Sequence, residues 1–417
     1  MPKRYLLKTT TAFGNRAEEL YFGLLKVRRL GLGLALVRQK VNLPGVFRLR
    51  QSNEHLLNIQ HPHIQATWPV EAFAWLASFL AIIFFVFGRC LGAVFRLLRC
   101  PLRNNLLIEW AYFTINHDRL WSSSQPRFHR SLIGIDWERE FATRLGVSHT
   151  ARDRLDYSFP ELKDRKFVCL HVRTGDFFSD HSGSHNRNAN IENYMLAAQW
   201  LIEQGYVVVR LGDCKMPKVK PMDGFLEYSH CGRKSEAWDV ALIEHCDFYI
   251  GSQSGPLDTA MLFEKTILVA NGVHISGCHW FRSGSLFLPK SIVKDGWRVS
   301  LKTQLIEHIF DFSGNADLPE GFTYQENTPS EILQAVKNLV HILPLNTEQI
   351  AFNLLWQETL LTLMETEQLY SPQSTDTRQK YRWGSRIMAV QGSVCPSYLA
   401  SDGFEADELD KNSQIMG

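Results

Sequence analysis

The chain has 417 residues, 45% apolar and 21% charged, with a formal net charge of +2. That composition excludes a disordered, collagen-like or polytopic membrane chain, and the length is too great for one compact core, so at least two domains are expected. The small net charge hides an imbalance: residues 1–130 hold 18 Lys/Arg against 6 Asp/Glu, a surplus of +12, which leaves −10 for the rest.

Taken in order, Tyr5–Thr11 reads as a strand, Ala12–Asn15 as a turn, and Arg16–Arg29 as a helix with an apolar stripe at Leu20, Leu24, Val27 and Leu30. Gly31 and Gly33 close that helix, and Leu34–Val37 is a second strand. This β–α–β order opens a doubly wound α/β sheet. Glu18 and Glu19 fall at the start of the helix. There they complement its dipole, and a general base drawn from this loop is the alternative role. Gly14 stands alone, without G-x-G-x-x-G spacing.

Residues 72–88 contain no charge and are slightly short of the ~20 residues that a spanning helix needs. Beyond them Arg89, Arg96 and Arg103 recur every seven residues, with Arg99 beside them, while Leu91, Val94, Phe95 and Leu98 fill the other side. One cationic and one apolar stripe suit a helix over 72–99 lying in a lipid headgroup interface. A core helix is the alternative. Trp68, Trp75 and Trp110 serve either as interface anchors or as core. A nucleic-acid partner is not expected, because the basic residues are not interleaved with aromatics in a binding module. Asn105–Trp121 reads as the last element of a first domain covering 1–155. Ala151–Arg165, across the boundary, is charged and irregular and reads as the interdomain linker.

The second domain, 156–345, opens on the apolar strand Phe167–Leu170. His171, Arg173 and Asp176 leave its carboxyl end, where open α/β sheets place ligands. Arg173 is a fork for phosphate oxygens. His181 and His185 are four apart, but Gly183 and the Ser/Asn content make the segment a loop, so no metal site is expected. Asn190 caps the helix Ile191–Gln204, with Gly205 at its C′ position. The strand Tyr206–Leu211 ends on Arg210 and Asp213. Ser235 caps Glu236–Cys246, which carries Asp239.

The strand Asp247–Gly251 feeds the small-residue turn Ser252-Gln253-Ser254-Gly255, with Pro256 in the first turn of Leu257–Glu264. Such a turn exposes free N–H groups and the positive end of a helix dipole, which is a phosphate cradle. It is not a G-x-S-x-G elbow, because its middle residue is Gln253. The strand Thr266–Ala270 ends at Asn271. No Asp-x-Asp pair occurs outside the acidic tail, so the carboxylate–metal clamp for a diphosphate is missing. Arg, Lys and helix N–H groups must then neutralise the anion. Thr347–Leu369, within 346–370, reads as a closing helix, and the Ser/Gln/Asp-rich 371–417 as a largely disordered tail. The eight cysteines form no C-x-x-C and are expected reduced and buried in a cytosolic compartment. Lys3 and Arg4 have no apolar run behind them, so no secretory signal is expected.

His171-Val172-Arg173-Thr174-Gly175-Asp176 resembles the His-x-Arg-Arg-x-Asp motif of the fucosyltransferase superfamily, with Thr174 where that motif has a second Arg. Asp239 and Asp247–Gly255 resemble its later donor-binding motif. The segment from His171 to Asn271 is more similar still to a bacterial glycosyltransferase family with fucosyltransferase-like C-terminal halves, matched at His171–Arg173, Asn193-Tyr194, Arg210–Asp213, Ser254-Gly255 and Asn271. The resemblance implies a GT-B fold of two Rossmann-like domains. It also implies metal-independent transfer of a sugar from a nucleotide-sugar donor to a glycan or glycolipid acceptor. The implied context is cell-surface polysaccharide synthesis at the inner face of the membrane, with no cofactor.

Arg173 would hold the donor diphosphate, Ser252, Gln253, Ser254 and Gly255 would lie under the phosphates, and Asp239 would orient nucleotide-binding backbone. His171, Arg210, Asp213 and Asn271 would complete the donor site. Arg173, Asp176 and Glu18 are the catalytic candidates. A nucleotide-sugar epimerase of the same fold and a non-catalytic nucleotide-sugar-binding protein are the alternatives.

Overall fold

A computed structural model describes residues 4–7, 13–36, 54–64, helical positions between 72 and 93, 143–175, 184–273, 282–307, 309, 318–341, 344–365 and 392–404. The chain divides into two compact units, 1–128 with 145–149, and 129–144 with 150–417. The main crossing therefore falls at residue 150 rather than 155.

In the first unit, β1 (Arg4–Leu7) pairs in parallel with β2 (Gly33–Leu36), Arg4 opposite Gly33. Helix α1 (Phe13–Leu30) connects them, as parallel pairing requires. Leu20, Leu24 and Val27 are fully buried on it, as the expected stripe requires, but Leu30, the last residue of that stripe, is 55% exposed at the helix end. The helix begins three residues earlier than expected and has no acidic residue in its first turn. Glu18 and Glu19 therefore do not complement the dipole. They lie a turn further in, 4% and 1% exposed, beside a buried Arg16. Asn105–Trp121 lies outside the described residues.

The second unit is built on a seven-stranded, wholly parallel sheet. Its strands are β3 (Phe167–His171), β4 (Val207–Arg210), β5 (Phe225–Leu226), β6 (Phe248–Gly251), β7 (Thr266–Gly272), β8 (Leu286–Pro289) and β12 (Ser393–Val394). They lie in the order β12-β8-β7-β6-β3-β4-β5. The inner strands are uninterrupted apolar runs because helices cover both faces of such a sheet. Every residue of β3, β4 and β6 is buried. Building starts at β3 and proceeds through β4 to β5, then returns to β6 on the other side. The carboxyl ends of β3 and β6 thus flank the topological switch point, where doubly wound sheets open a crevice.

Five helices come first among the described residues of this unit. They are α2 (Arg152–Ser158), α3 (Glu192–Glu203), α4 (Glu236–His245), α5 (Gly255–Leu262) and α6 (Leu301–Ile306). Ser235 Oγ accepts from Trp238 N at 3.2 Å, capping α4 as expected, and Gly205 takes a positive φ after α3. The expected linker is part of the unit. Helix α2 packs on α4, and Leu155, Phe159 and Leu162 are fully buried. Two longer helices, α7 (Pro329–Val340) and α8 (Thr347–Glu365), follow. Thr328 and Glu331 close a capping box at the start of α7.

Of the expected tail, 371–417, the described residues are 392–404, and this stretch is folded. Ser393–Val394 pairs with β8 as an edge strand, and α9 (Pro396–Asp402) packs on α7 and α8. Short as it is, the segment Ser393-Val394-Cys395 is fully buried, which a disordered tail would not be. A small antiparallel sheet, β9 (Ser291–Lys294), β10 (Trp297–Arg298) and β11 (Phe322–Gln325), leaves the end of β8. Among the described cysteines none is bridged; Cys169, Cys246 and Cys395 are buried as expected, but Cys90 and Cys214 are exposed.

Gly251 is where β3 and β6 approach too closely for a side chain. A Cβ there would lie 2.5 Å from His171 O and 2.9 Å from the Tyr249 ring. Both neighbours belong to the central strands, so neither can yield cheaply. Gly251→Ala is expected to cost about 2–3 kcal/mol of stability by chemical denaturation, the range of core overpacking.

Candidate anion site at the switch point

The turn after β6 is bonded to the end of β3. Ser252 N donates to His171 O at 3.1 Å, and Arg173 N donates to the buried Ser252 Oγ at 2.8 Å. Ser254 is the N-cap of α5, yet its side chain makes no cap bond. It faces His171 instead, with Oγ 2.9 Å from Nδ1 and 3.1 Å from Ser252 O. The pair is bonded whichever of Ser254 Oγ and His171 Nδ1 donates.

His171 is 6% exposed. Burial first, then the charges of Lys234, Arg210 and Arg173, push its pKa down to about 3. It is a neutral ring in a positive field. The sign of the linkage follows: the unfolded chain takes up this proton near pH 6.5, and the folded chain does not. Its contribution to stability is present above pH 6.5 and is lost as pH falls toward 3. Between pH 7 and pH 5 it accounts for about 2 kcal/mol, and denaturation of a His171→Asn variant at both pH values should lack that increment.

Arg173 is 8% exposed, and its Nη1 donates to Asn188 Oδ1. The backbone oxygen of Asn188 accepts from Lys290 Nζ at 2.7 Å. Lys290 is 5% exposed, and burial lowers its pKa. Its carboxylate neighbour, Glu326, is 3.8 Å away, itself bonded to Asn190 N and Asn193 Nδ2. Two buried cations from opposite wings of the sheet thus meet on one residue. Lys290 follows β8 as Arg173 follows β3. Leu-Phe-Leu-Pro-Lys is a buried strand with a cation at its carboxyl end, so the reasoning that singled out Arg173 would have found Lys290 as well.

The other sequence candidates separate into three groups. Arg210, fully buried, is turned into an ion pair with Glu227 at 3.0 Å and bonds Pro217 O at 2.8 Å, holding the 211–227 loop. Gln253 Oε1 accepts from Val273 N, and Asn271 exchanges two 2.7 Å bonds with Asn327 while donating to Tyr194 OH at 3.0 Å. These residues tie strand ends together. Asp213 accepts from Lys215 N at 2.9 Å in a local turn, and Asp239 pairs with Lys234 at 2.8 Å, its pKa raised by burial. His171, Arg173 and Ser252–Gly255 gather at the switch point. Asp176 and His181 lie outside the described residues, and Glu18 belongs to the other unit. Asp258 is the acidic residue in the first turn of α5. Among the described residues no three His, Cys, Asp or Glu side chains group as metal ligands.

No family model matches the chain, and no curated protein matches it. Among solved structures it is similar to Escherichia coli ADP-heptose heptosyltransferase II, at 14% identity and a TM-score of 0.33 over 64% of this chain and 84% of that one. A family 9 glycosyl transferase from Veillonella parvula gives 13% and 0.32 over 64% and 80%. Staphylococcus aureus MnaA with UDP gives 12% and 0.31 over 82% and 88%. At these identities and scores the likenesses establish no family for the chain.

Proposed function

We propose that the chain is a glycosyltransferase of GT-B type, moving a sugar from a nucleotide-sugar donor to a glycan or glycolipid acceptor. The observation that carries this reading is the meeting of Arg173 and Lys290 on Asn188, beside the cap-free start of α5 at the switch point. A diphosphate leaving group bears charge that builds as the glycosidic bond breaks, and buried cations stabilise that charge most in a water-poor crevice. The first unit, with its parallel β1–α1–β2 start, would hold the acceptor. Cell-surface polysaccharide synthesis on the cytoplasmic side is the context that fits.

Incubation with radiolabelled ADP-, UDP- and GDP-sugars tests this. Free nucleoside diphosphate and a labelled product should appear only when acceptor extract is added, and should persist in EDTA. An epimerised sugar nucleotide formed without acceptor would favour the isomerase, and no turnover with any donor would favour a binding protein. Lys290→Ala should lower kcat/KM about 10–100-fold, the value of one charge-assisted hydrogen bond.

A further inference from the structure

The first unit carries an apolar surface that the reaction above does not use. The described helical positions between 72 and 93 recur three and four residues apart. Every described side chain among them is apolar. Trp75, Leu76, Phe79, Val86 and Phe87 are each more than half exposed, Phe87 at 64%. With Leu80 and Leu91 they present on the order of 700 Å² of apolar surface, more than the largest patch of an ordinary monomer. Among the described residues no helix is long and apolar enough to cross a membrane.

We propose that this face docks the protein on an anionic lipid bilayer, the helix lying in the headgroup interface with the Trp75–Leu91 face in the acyl boundary. Charge selects the occupant. From residue 72 to 108 the sequence has no Asp or Glu, and it carries Arg89, Arg96, Arg99 and Arg103. Two copies of so basic a segment would repel across a shared interface. A leaflet rich in anionic lipid attracts each juxtamembrane cation by about 1 kcal/mol, and salt screens that attraction. An apolar face with Trp and Phe on one side and arginines on the next stretch is the composition of an interfacial helix.

The test is co-sedimentation of the full chain with vesicles of phosphatidylcholine, alone or with about 30% phosphatidylglycerol, a content that gives a negative surface potential. The wild-type chain should partition at least about tenfold more strongly onto the anionic vesicles, and the Phe79→Glu/Phe87→Glu variant should lose at least about tenfold of that partition. Both positions are exposed, so the melting temperature should not move; if it does, Leu76→Gln is the milder replacement. Light scattering on the same samples identifies a second copy as the occupant. Failure of the wild type to bind either vesicle, undiminished binding by the variants, or a wild-type dimer that the variants convert to monomer would each overturn the proposal. No turnover enters the measurement, so its failure leaves the proposed reaction untouched.

Discussion

Arg173→Ala is expected to weaken nucleoside-diphosphate binding about 100-fold. A hydrogen bond to a charged group is worth about 1.5–3 kcal/mol, and Arg173 is only 8% exposed, which favours the upper end. Arg173→Lys keeps the charge and loses the planar fork, so it should recover only part of the affinity, leaving a deficit of about tenfold. The side chain also holds Asn188, so a second readout is needed. If Arg173 served only to pin that loop, Asn188→Ala would reproduce the whole loss. If it binds the anion, Asn188→Ala should cost much less than Arg173→Ala. Isothermal titration with the diphosphates separates the two.

Asn271→Ala is expected to be among the most destabilising single changes in the second unit. The backbone at Asn271 is left-handed, with φ +54°, where alanine is strained by about 1 kcal/mol and asparagine is tolerated. Its side chain is 1% exposed within a reciprocal pair with Asn327 and a bond to the buried Tyr194 hydroxyl. Removing it strands the Asn327 N–H and one hydrogen-bonding position on the phenol, at about 1–3 kcal/mol each. The total loss is about 3–7 kcal/mol by denaturant unfolding. Asn271→Gly relieves the backbone strain but not the orphaned groups, so it should return only about 1 kcal/mol. A larger recovery would mean that the hydrogen bonds carry little.

The second unit was legible because parallel strands buried on both faces are written as unbroken apolar runs. Phe167–His171, Val207–Arg210 and Phe248–Gly251 announce themselves, and so do the turns at their carboxyl ends. The sheet order was implicit in that alternation of strands and helices. What stayed hidden depends on pairing at a distance. Ser393-Val394 is two residues long and becomes a strand only because β8 offers a free edge. Arg210 reads as a ligand residue until Glu227, seventeen positions on, is seen to claim it. Glu18 and Glu19 read as a helix start because the turn before them is glycine-containing, while the helix in fact begins at Phe13. Lys290 went unread for a different reason: its strand is followed at once by the β9 hairpin, so the β–loop–α rhythm breaks there.

Titration of the full chain with ADP, UDP and GDP, run beside the Arg173→Ala/Lys290→Ala variant, tests the account most directly. At least one diphosphate should bind the native chain with release of heat, and the doubly substituted chain, still cooperatively folded, should bind it at least 100-fold more weakly. Equal affinity in the two proteins would contradict the assignment of the switch point as the pyrophosphate site.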